Sequence, residues 1–487
     1  MQIKELIELV NPLHVSRTKS TQNLHAIEQD SRKVTEGSVF IAVRGHEVDG
    51  HLFLEDAIQR GAKVLITEES YYTDAEGVCV MEVEDTRVIL GKLAQAFTGN
   101  PAKELSIIGI TGTNGKTTTA TLVHQVLCAL GEKASLLGTV YKKILEEELS
   151  SSLTTSDPIE LANDMKMMVD AKSKYLVMEV SSHALVQERV SGFNFEIAVF
   201  TNLSHDHLDY HITIEEYAKA KKLLFDNLSS SATTIINEDD EYGEFMISKS
   251  RAKKIKFGFK GSTNHILSNT PDGLTLLIDG VNIQSPLVGE FNAYNVAQAF
   301  LACVSLGFNE KEVAKALKKA TGAAGRMQVV KLKQGNTPLV IVDYAHTPDA
   351  LENVSSTLSE IKEPTQKLTL IFGAGGDRDR SKRPEMAKAA ERYADSIYVT
   401  SDNPRFEDPE VIIEDIMQGF DQADNVTRIT DRKEAIEQAI SSASIDDIIL
   451  IAGKGHEDYQ DIQGTKHSFD DRIIAWDALR NYLKEAS

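Results

Sequence analysis

The sequence predicts an α/β protein of three domains. A central α/β domain of the phosphate-loop, nucleotide-binding type is flanked by a small N-terminal α/β domain and a C-terminal Rossmann-like domain. Three observations carry this. Short β-branched apolar runs alternate with stretches of helical periodicity along the chain. A glycine- and threonine-rich loop, GITGTNGKTTT at 109–119, falls between such a run and a helical stretch. In the last third, four apolar runs each lead straight into a polar, glycine-rich or charged loop. At 487 residues the chain is also too long for one ordinary core.

In chain order, the apolar runs SVFIAV, AKVLIT and GVCVMEV and the helical stretch LEDAIQRGA make a small α/β unit. GNPAKEL (99–105) is a turn-rich break, and we place the first boundary there, giving residues 1–99. LSIIGI then reads as a buried strand, the glycine-rich loop follows, and TTTATLVHQVLCALG carries helical spacing up to Gly131. KYLVMEV and FEIAVF continue the sheet. A second break at TGAAGRMQVV bounds a central domain at 100–328 and a third domain at 329–487. The third domain holds LVIVDYAH, LTLIFGAGG, SIYVTSDNPR and IILIAGKGHE. In open parallel sheets ligands sit beyond the carboxyl ends of the strands, so these four loops predict a site.

Composition narrows the function. The formal net charge is −21, which argues against a nucleic-acid or membrane-surface binder. Cys79, Cys128 and Cys303 lie far apart and form no CxxC pair, so neither a disulfide framework nor a cysteine-built metal site is expected. No signal-like segment or 18-residue apolar run is seen, and a cytoplasmic enzyme is expected.

The loop of Gly112, Thr113, Asn114, Gly115, Lys116, Thr117 and Thr118 has phosphate-binding chemistry. Glycines let backbone N–H groups turn toward phosphate oxygens at a helix N-terminus. Lys116 can pair with the β/γ-phosphates and the Thr117 hydroxyl can ligate Mg²⁺. Ile110 stands where the strict pattern has its first glycine, so the loop is a variant. Glu179 ends a strand, and His205, Asp206, His207, Asp209 and His211 follow another. Carboxylate oxygens suit Mg²⁺; a histidine cluster also suits zinc, and the phosphate loop favours Mg²⁺.

GTNGKTT, EVSSHAL, TNLSHDHLDYH, GRM, DYAHTPD, GAGGDRDRSKRP, SDNPR and GKGHE occur in the order seen in Mur ligases, and DSRKVTEGSVFIAVRGHEVDGHLF (30–53) also resembles them. The resemblance covers almost the whole chain. It implies an ATP- and Mg²⁺-dependent ligase of peptidoglycan precursor synthesis. Its first domain holds the UDP end of the substrate, the second binds ATP and the third binds the amino acid. The implied chemistry phosphorylates the D-Glu carboxylate of UDP-MurNAc-L-Ala-D-Glu, and the amine of meso-diaminopimelate then attacks the acyl phosphate. Positioning and charge neutralisation are then the protein's main task.

The same resemblance assigns residues. Lys116 and Thr117 contact triphosphate and Mg²⁺, and Glu179 and His207 are Mg²⁺ ligands, with His205 and His211 read as loop-structural. In EEYAKAKKLLF, Lys219 neighbours Glu215, Glu216 and Leu223 and reads as solvated, whereas Lys221 neighbours Tyr217, Leu224 and Phe225. That apolar face lowers a lysine's pKa. Lys221 also aligns with the lysine that family members carry as a carbamate beside a second Mg²⁺. Ser31 and His46 resemble contacts to the uracil and phosphate end; Thr154, Thr155, Ser181, Gln187 and Arg189 resemble muramyl-peptide contacts. Asn292, Asn295, Arg326 and Asp343 resemble adenosine and phosphate contacts.

Arg378, Asp402, Asn403, Pro404, Arg405, Gly453 and Glu457 resemble the amino-acid pocket. The distal carboxylate of diaminopimelate suits a planar bidentate donor, which Arg405 supplies. Lysine-adding relatives generally lack that arginine. The alternatives are a lysine-adding ligase, a folylpolyglutamate synthase-like ligase and a phosphate-loop NTPase switch. A monomer is expected, with no nucleic-acid or membrane partner.

Overall fold

The computed structural model describes residues 1–16, 23–45, 48–332 and 334–485. The chain forms two compact units, one of residues 1–120 and 127–257, the other of residues 121–126 and 258–487.

The first unit holds two sheets. The smaller has strands Ile27–Glu28, Val39–Ile41, Val64–Thr67 and Cys79–Glu82 in parallel, with His14–Val15 antiparallel at the edge. The larger has eight strands, in the order Lys253–Phe257, Thr233–Asn237, Phe195–Phe200, Ser106–Thr111, Tyr175–Glu179, Ala134–Leu137, Tyr141–Ile144 and Glu147–Ser150. The first six are parallel and the last two form an antiparallel extension. Strands such as Tyr175–Glu179 are buried along their whole length, as parallel strands covered on both faces must be. Ser106–Thr111 lies between Phe195–Phe200 and Tyr175–Glu179, so the carboxyl ends of all three emerge side by side.

The second unit begins with an antiparallel sheet of His265–Thr270, Gly273–Ile278 and Val281–Ser285, followed by helices Glu290–Ser305 and Glu310–Leu317. Its six-stranded sheet runs Gln328–Val330, Leu339–Asp343, Ile448–Ala452, Leu368–Phe372, Ser396–Val399 and Val426–Arg428, all parallel except the first. Helices Pro348–Ile361, Lys382–Glu391 and Pro409–Met417 cover one face. Arg432–Ser441 and Asp471–Glu485 cover the other. The four strands that end in DYAH, GKGHE, GAGG and SDNPR are adjacent in this sheet. Among the described residues no helix is long and apolar enough to cross a membrane.

Candidate active site

The phosphate loop connects strand Ser106–Thr111 to helix Lys116–Ala129. Gly112 has φ +149°, and a Cβ there would stand 1.8 Å from Thr201 Oγ1, so only glycine fits. The loop is laced to the end of the neighbouring strand. Thr113 N donates to Asn202 O at 2.8 Å, Asn114 N donates to Asn202 Oδ1 at 3.0 Å, and Ser204 N donates to Thr113 Oγ1 at 3.0 Å. Thr201 Oγ1 donates to Asn114 O at 2.6 Å. Gly115 is also left-handed, at φ +85°, and Thr118 is buried. Lys116 Nζ donates to the carbonyls of Gly112 and Thr113 at 3.0 and 2.8 Å.

Glu179 is buried at the end of its strand. Its carboxylate accepts from Thr117 Oγ1 at 2.8 Å, Thr139 N at 2.7 Å and Thr139 Oγ1 at 3.2 Å. Thr117 and Glu179 thus form a pair of hard oxygen donors next to the phosphate loop, able to hold a hard cation. Thr139, absent from the sequence reading, also bonds Thr154 Oγ1 at 3.0 Å.

Lys221 sits on helix Ile214–Asp226, whose N-cap Thr213 accepts from Glu216 N. Its side chain is 1% exposed. Nζ donates to Gly112 O at 2.7 Å and lies 4.2 Å from the centre of the Tyr217 ring. Burial, reinforced by the Lys116 ammonium and opposed by Asp206, holds its pKa well below 10.5. Lys219 is exposed and pairs with Glu216 at 2.7 Å.

His207 has φ +53°, its N–H donates to Asp206 Oδ1 at 2.9 Å, and its ring stands edge-on to His183 at 4.9 Å. His211 is buried against Ser182 Oγ at 2.9 Å, and His205 is exposed. Among the described residues no three His, Cys, Asp or Glu side chains converge to hold a metal. The Asp209 side chain and His46 lie outside the described residues.

A cleft of about 1010 Å³ in this unit is lined by Arg44, Arg87, Gln187, Arg189, Tyr210 and Ile212, among others. Arg189 organises one wall. Nη1 donates to Thr155 O at 2.7 Å, Nε and Nη2 both reach Gln187 Oε1, and Gln187 Nε2 donates to the Tyr210 hydroxyl at 3.3 Å. Thr155 Oγ1 donates to Glu179 O and accepts from Ser181 N, tying this wall to the Glu179 strand. Ser181 caps the helix that follows it, its Oγ accepting from Ala184 N. Ser31 is buried in a 3₁₀ turn, where it bonds Asp56. Arg44 and Arg87, both missed from sequence, meet through a bond from Arg87 to the Arg44 carbonyl.

In the second unit Asn292 and Asn295 are buried on one face of their helix and joined by a 2.9 Å bond. Arg326 lies over the Tyr344 ring at 4.7 Å. Asp343 is buried and accepts from Met327 N and Ala345 N, and burial pushes its carboxyl up. The strand-end loops bring Asn403 and Glu457 together at 2.8 Å. Lys454, fully buried, bonds both, at 3.0 and 3.2 Å. Arg405 has φ +50° and its Nη1 donates to Gly376 O at 2.7 Å. Arg378 is exposed on the turn after Gly376. Beside Pro404 and Arg405 a cleft of about 890 Å³ is lined also by Phe406, Arg432, Lys433 and Phe469.

Family models match three successive stretches: the Mur ligase family catalytic domain at 23–98, the Mur ligase middle domain at 110–303, and the Mur ligase glutamate ligase domain at 325–455. The UDP-N-acetylmuramoyl-L-alanyl-D-glutamate–2,6-diaminopimelate ligase of Parabacteroides distasonis is 43% identical over 96% of this chain and 97% of its own. The chain belongs to the Mur ligase family. The Aquifex aeolicus Mur ligase of the same name is 42% identical over 94% of both chains. A solved structure titled as that ligase shares 33% identity, covers 99% of both chains and superposes with a TM-score of 0.73. A Thermotoga maritima MurF solved with ADP shares the Mur ligase fold at 18% identity, over 96% of this chain and 99% of its own, with a TM-score of 0.59. The enzyme is accordingly an ATP-dependent, ADP-forming amide ligase built on the three-domain Mur ligase fold.

Proposed function

We propose that this protein joins meso-diaminopimelate to the D-glutamate carboxyl of UDP-MurNAc-L-Ala-D-Glu in peptidoglycan precursor synthesis. It acts in the cytoplasm as a monomer, with no nucleic-acid or membrane partner, and serves cell-wall biogenesis, cell shape and division. Near-full-length identity of 43% to a ligase of that name supports the reading. The single observation that carries the amino-acid choice is Arg405, a fixed guanidinium on a strand-end loop beside Asp402 and Asn403.

A carboxylate oxygen of D-Glu attacks the γ-phosphorus of ATP, and ADP leaves with the bonding pair. The diaminopimelate amine attacks the acyl carbon, loses a proton, and phosphate leaves with the C–O electrons. Lys116 neutralises the triphosphate. The hard-oxygen pair of Thr117 and Glu179 fits Mg²⁺, which supplies charge neutralisation at the phosphates when bound. His207 and Lys221, the latter as a carbamate, would complete the metal set; a buried lysine with a depressed pKa is neutral enough to react with CO₂. Gly112–Thr118, Asn292, Asn295, Arg326 and Asp343 hold the nucleotide. Ser31, His46, Thr154, Thr155, Ser181, Gln187 and Arg189 hold the UDP-muramyl dipeptide. Arg378, Asp402–Arg405, Gly453 and Glu457 hold the amino acid. On this reading the domains span residues 1–99, 100–328 and 329–487.

The test is ATP-dependent phosphate release with UDP-MurNAc-L-Ala-D-Glu and meso-diaminopimelate, L-lysine or no amino acid. Release with diaminopimelate alone is expected. Equal release with lysine would overturn the role of Arg405, and release without the muramyl nucleotide would overturn the ligase assignment.

A further inference from the structure

Arg432 has no solvent exposure. Its Nε and Nη2 form a fork onto Asp471 at 2.8 and 2.7 Å, and Asp471 is equally buried. Nη2 also donates to Ala452 O at 2.9 Å, at the end of strand Ile448–Ala452. Nη1 is buried and makes no hydrogen bond. A buried N–H left in this state calls for a reason. The carboxylate within ion-pair range of Nη1 is Asp402, with Oδ2 at 3.9 Å.

Asp402 is held from its other sides too. Gly453 has φ +117°, and a Cβ there would stand 2.5 Å from Asp402 Oδ2, so the carboxylate rests on bare backbone. Gln460 Nε2 donates to Asp402 O at 2.7 Å. Three charged groups therefore stand in a row, Asp402, Arg432 and Asp471, and together they carry one net negative charge. Asp402 is 8% exposed, and the guanidinium is the cation that faces its carboxylate. Asp471 in turn stops Arg432 from cancelling the Asp402 charge completely.

We propose that Asp471, acting through Arg432, fixes the orientation of the Asp402 carboxylate and leaves the row with a net negative charge, so that the pocket attracts an amino-acid ammonium group. The inference rests on the assignment of Asp402 to the amino-acid site. Arg432 and Asp471 are positioning residues that act through Asp402. The geometry makes a directional demand. Removing the Asp471 charge leaves Arg432 in place but gives its whole charge to Asp402, so ammonium binding weakens without loss of the cation.

The experiment compares Asp471→Asn, Asp471→Glu, Arg432→Lys and Asp402→Asn in the full-length enzyme. It measures KM for meso-diaminopimelate, KM for ATP, kcat and melting temperature. Asp471→Asn is expected to raise the diaminopimelate KM about tenfold, the scale of one lost charge–charge interaction. KM for ATP stays within about twofold, and Asp471→Glu recovers most of the loss. Arg432→Lys, which keeps charge but loses the fork, gives an intermediate rise. An unchanged diaminopimelate KM in Asp471→Asn and Arg432→Lys, with a raised one in Asp402→Asn, overturns the proposal and leaves the site standing. An unchanged KM in Asp402→Asn overturns the site assignment itself. A parallel rise in both KM values shows general damage and also overturns the proposal.

Discussion

Lys221 carries two readings that one substitution separates. As a cation it needs only its charge beside Gly112 O; as a carbamate it needs a neutral amine. Arginine keeps the charge, cannot be deprotonated and forms no carbamate. Lys221→Arg is therefore expected to lower kcat by about 10² or more, the usual scale for removing a preorganised charge at the reacting centre. Steady-state phosphate release reads it, and an active arginine variant would end the carbamate reading. His456 offers a pH test. Burial, then Arg326 and Arg472, against the weaker pull of Asp458, hold its imidazole down to about 4 from 6.5. The unfolded chain takes up that proton near 6.5 and the folded chain does so only near 4. Its contribution to stability is thus complete above 6.5 and lost as pH falls through 4. His456→Phe is expected to flatten this part of the melting-temperature profile; a slope identical to that of the parent enzyme would show that other groups set it.

At the scale of elements, the helix carrying Lys221 depends on one cap. Thr213 Oγ1 accepts from Glu216 N at 3.2 Å, and Thr213→Ala is expected to cost about 1 kcal/mol, read as a lower denaturant midpoint at unchanged slope. The variant should also lose activity, because the same helix aims Lys221 at the phosphate loop; full activity would mean that tertiary packing alone fixes the helix. Strands and loops of this kind were legible in the sequence. Buried parallel strands read as apolar runs, and the polar loops at their ends stand out against them. The antiparallel sheet of 265–285 escaped notice because one of its strands, His265–Thr270, is largely solvent-facing and offers no apolar run. Other features were hidden for a different reason. Thr139, Lys454 and Arg432 matter through partners dozens of residues away, namely Glu179, Asn403 and Asp471. Ile212, a β-branched residue at φ +67° in the wall of the first cleft, obeys no local rule at all. Long-range pairing and backbone strain leave no periodic trace.

For the whole molecule, the proposed reading assigns roles to residues of both compact units. The phosphate loop, Glu179 and Lys221 belong to the first, and Arg326, Asp343 and the Asp402–Arg405 turn belong to the second. The proposed amino-acid residues lie in a different unit from the phosphate loop, so they can be replaced without touching that loop. Arg405 makes that separation sharp, since its guanidinium has one structural bond, to Gly376 O, and further donors free in number for a carboxylate. Arg405→Ala removes both roles, and Arg405→Lys restores a charge without the planar fork. Losing one partner of a desolvated ion pair typically costs 2–5 kcal/mol, so kcat/KM for meso-diaminopimelate should fall about 10²-fold or more in the alanine variant. Lysine has no distal carboxylate to pair, so its kcat/KM should change little. Equilibrium ATP binding, measured by calorimetry, should stay within about twofold, because the phosphate loop is untouched. If turnover with both amino acids falls equally, the bond to Gly376 O is what Arg405 contributes, and selectivity for the distal carboxylate must come from another donor of the pocket, with exposed Arg378 the next to be replaced.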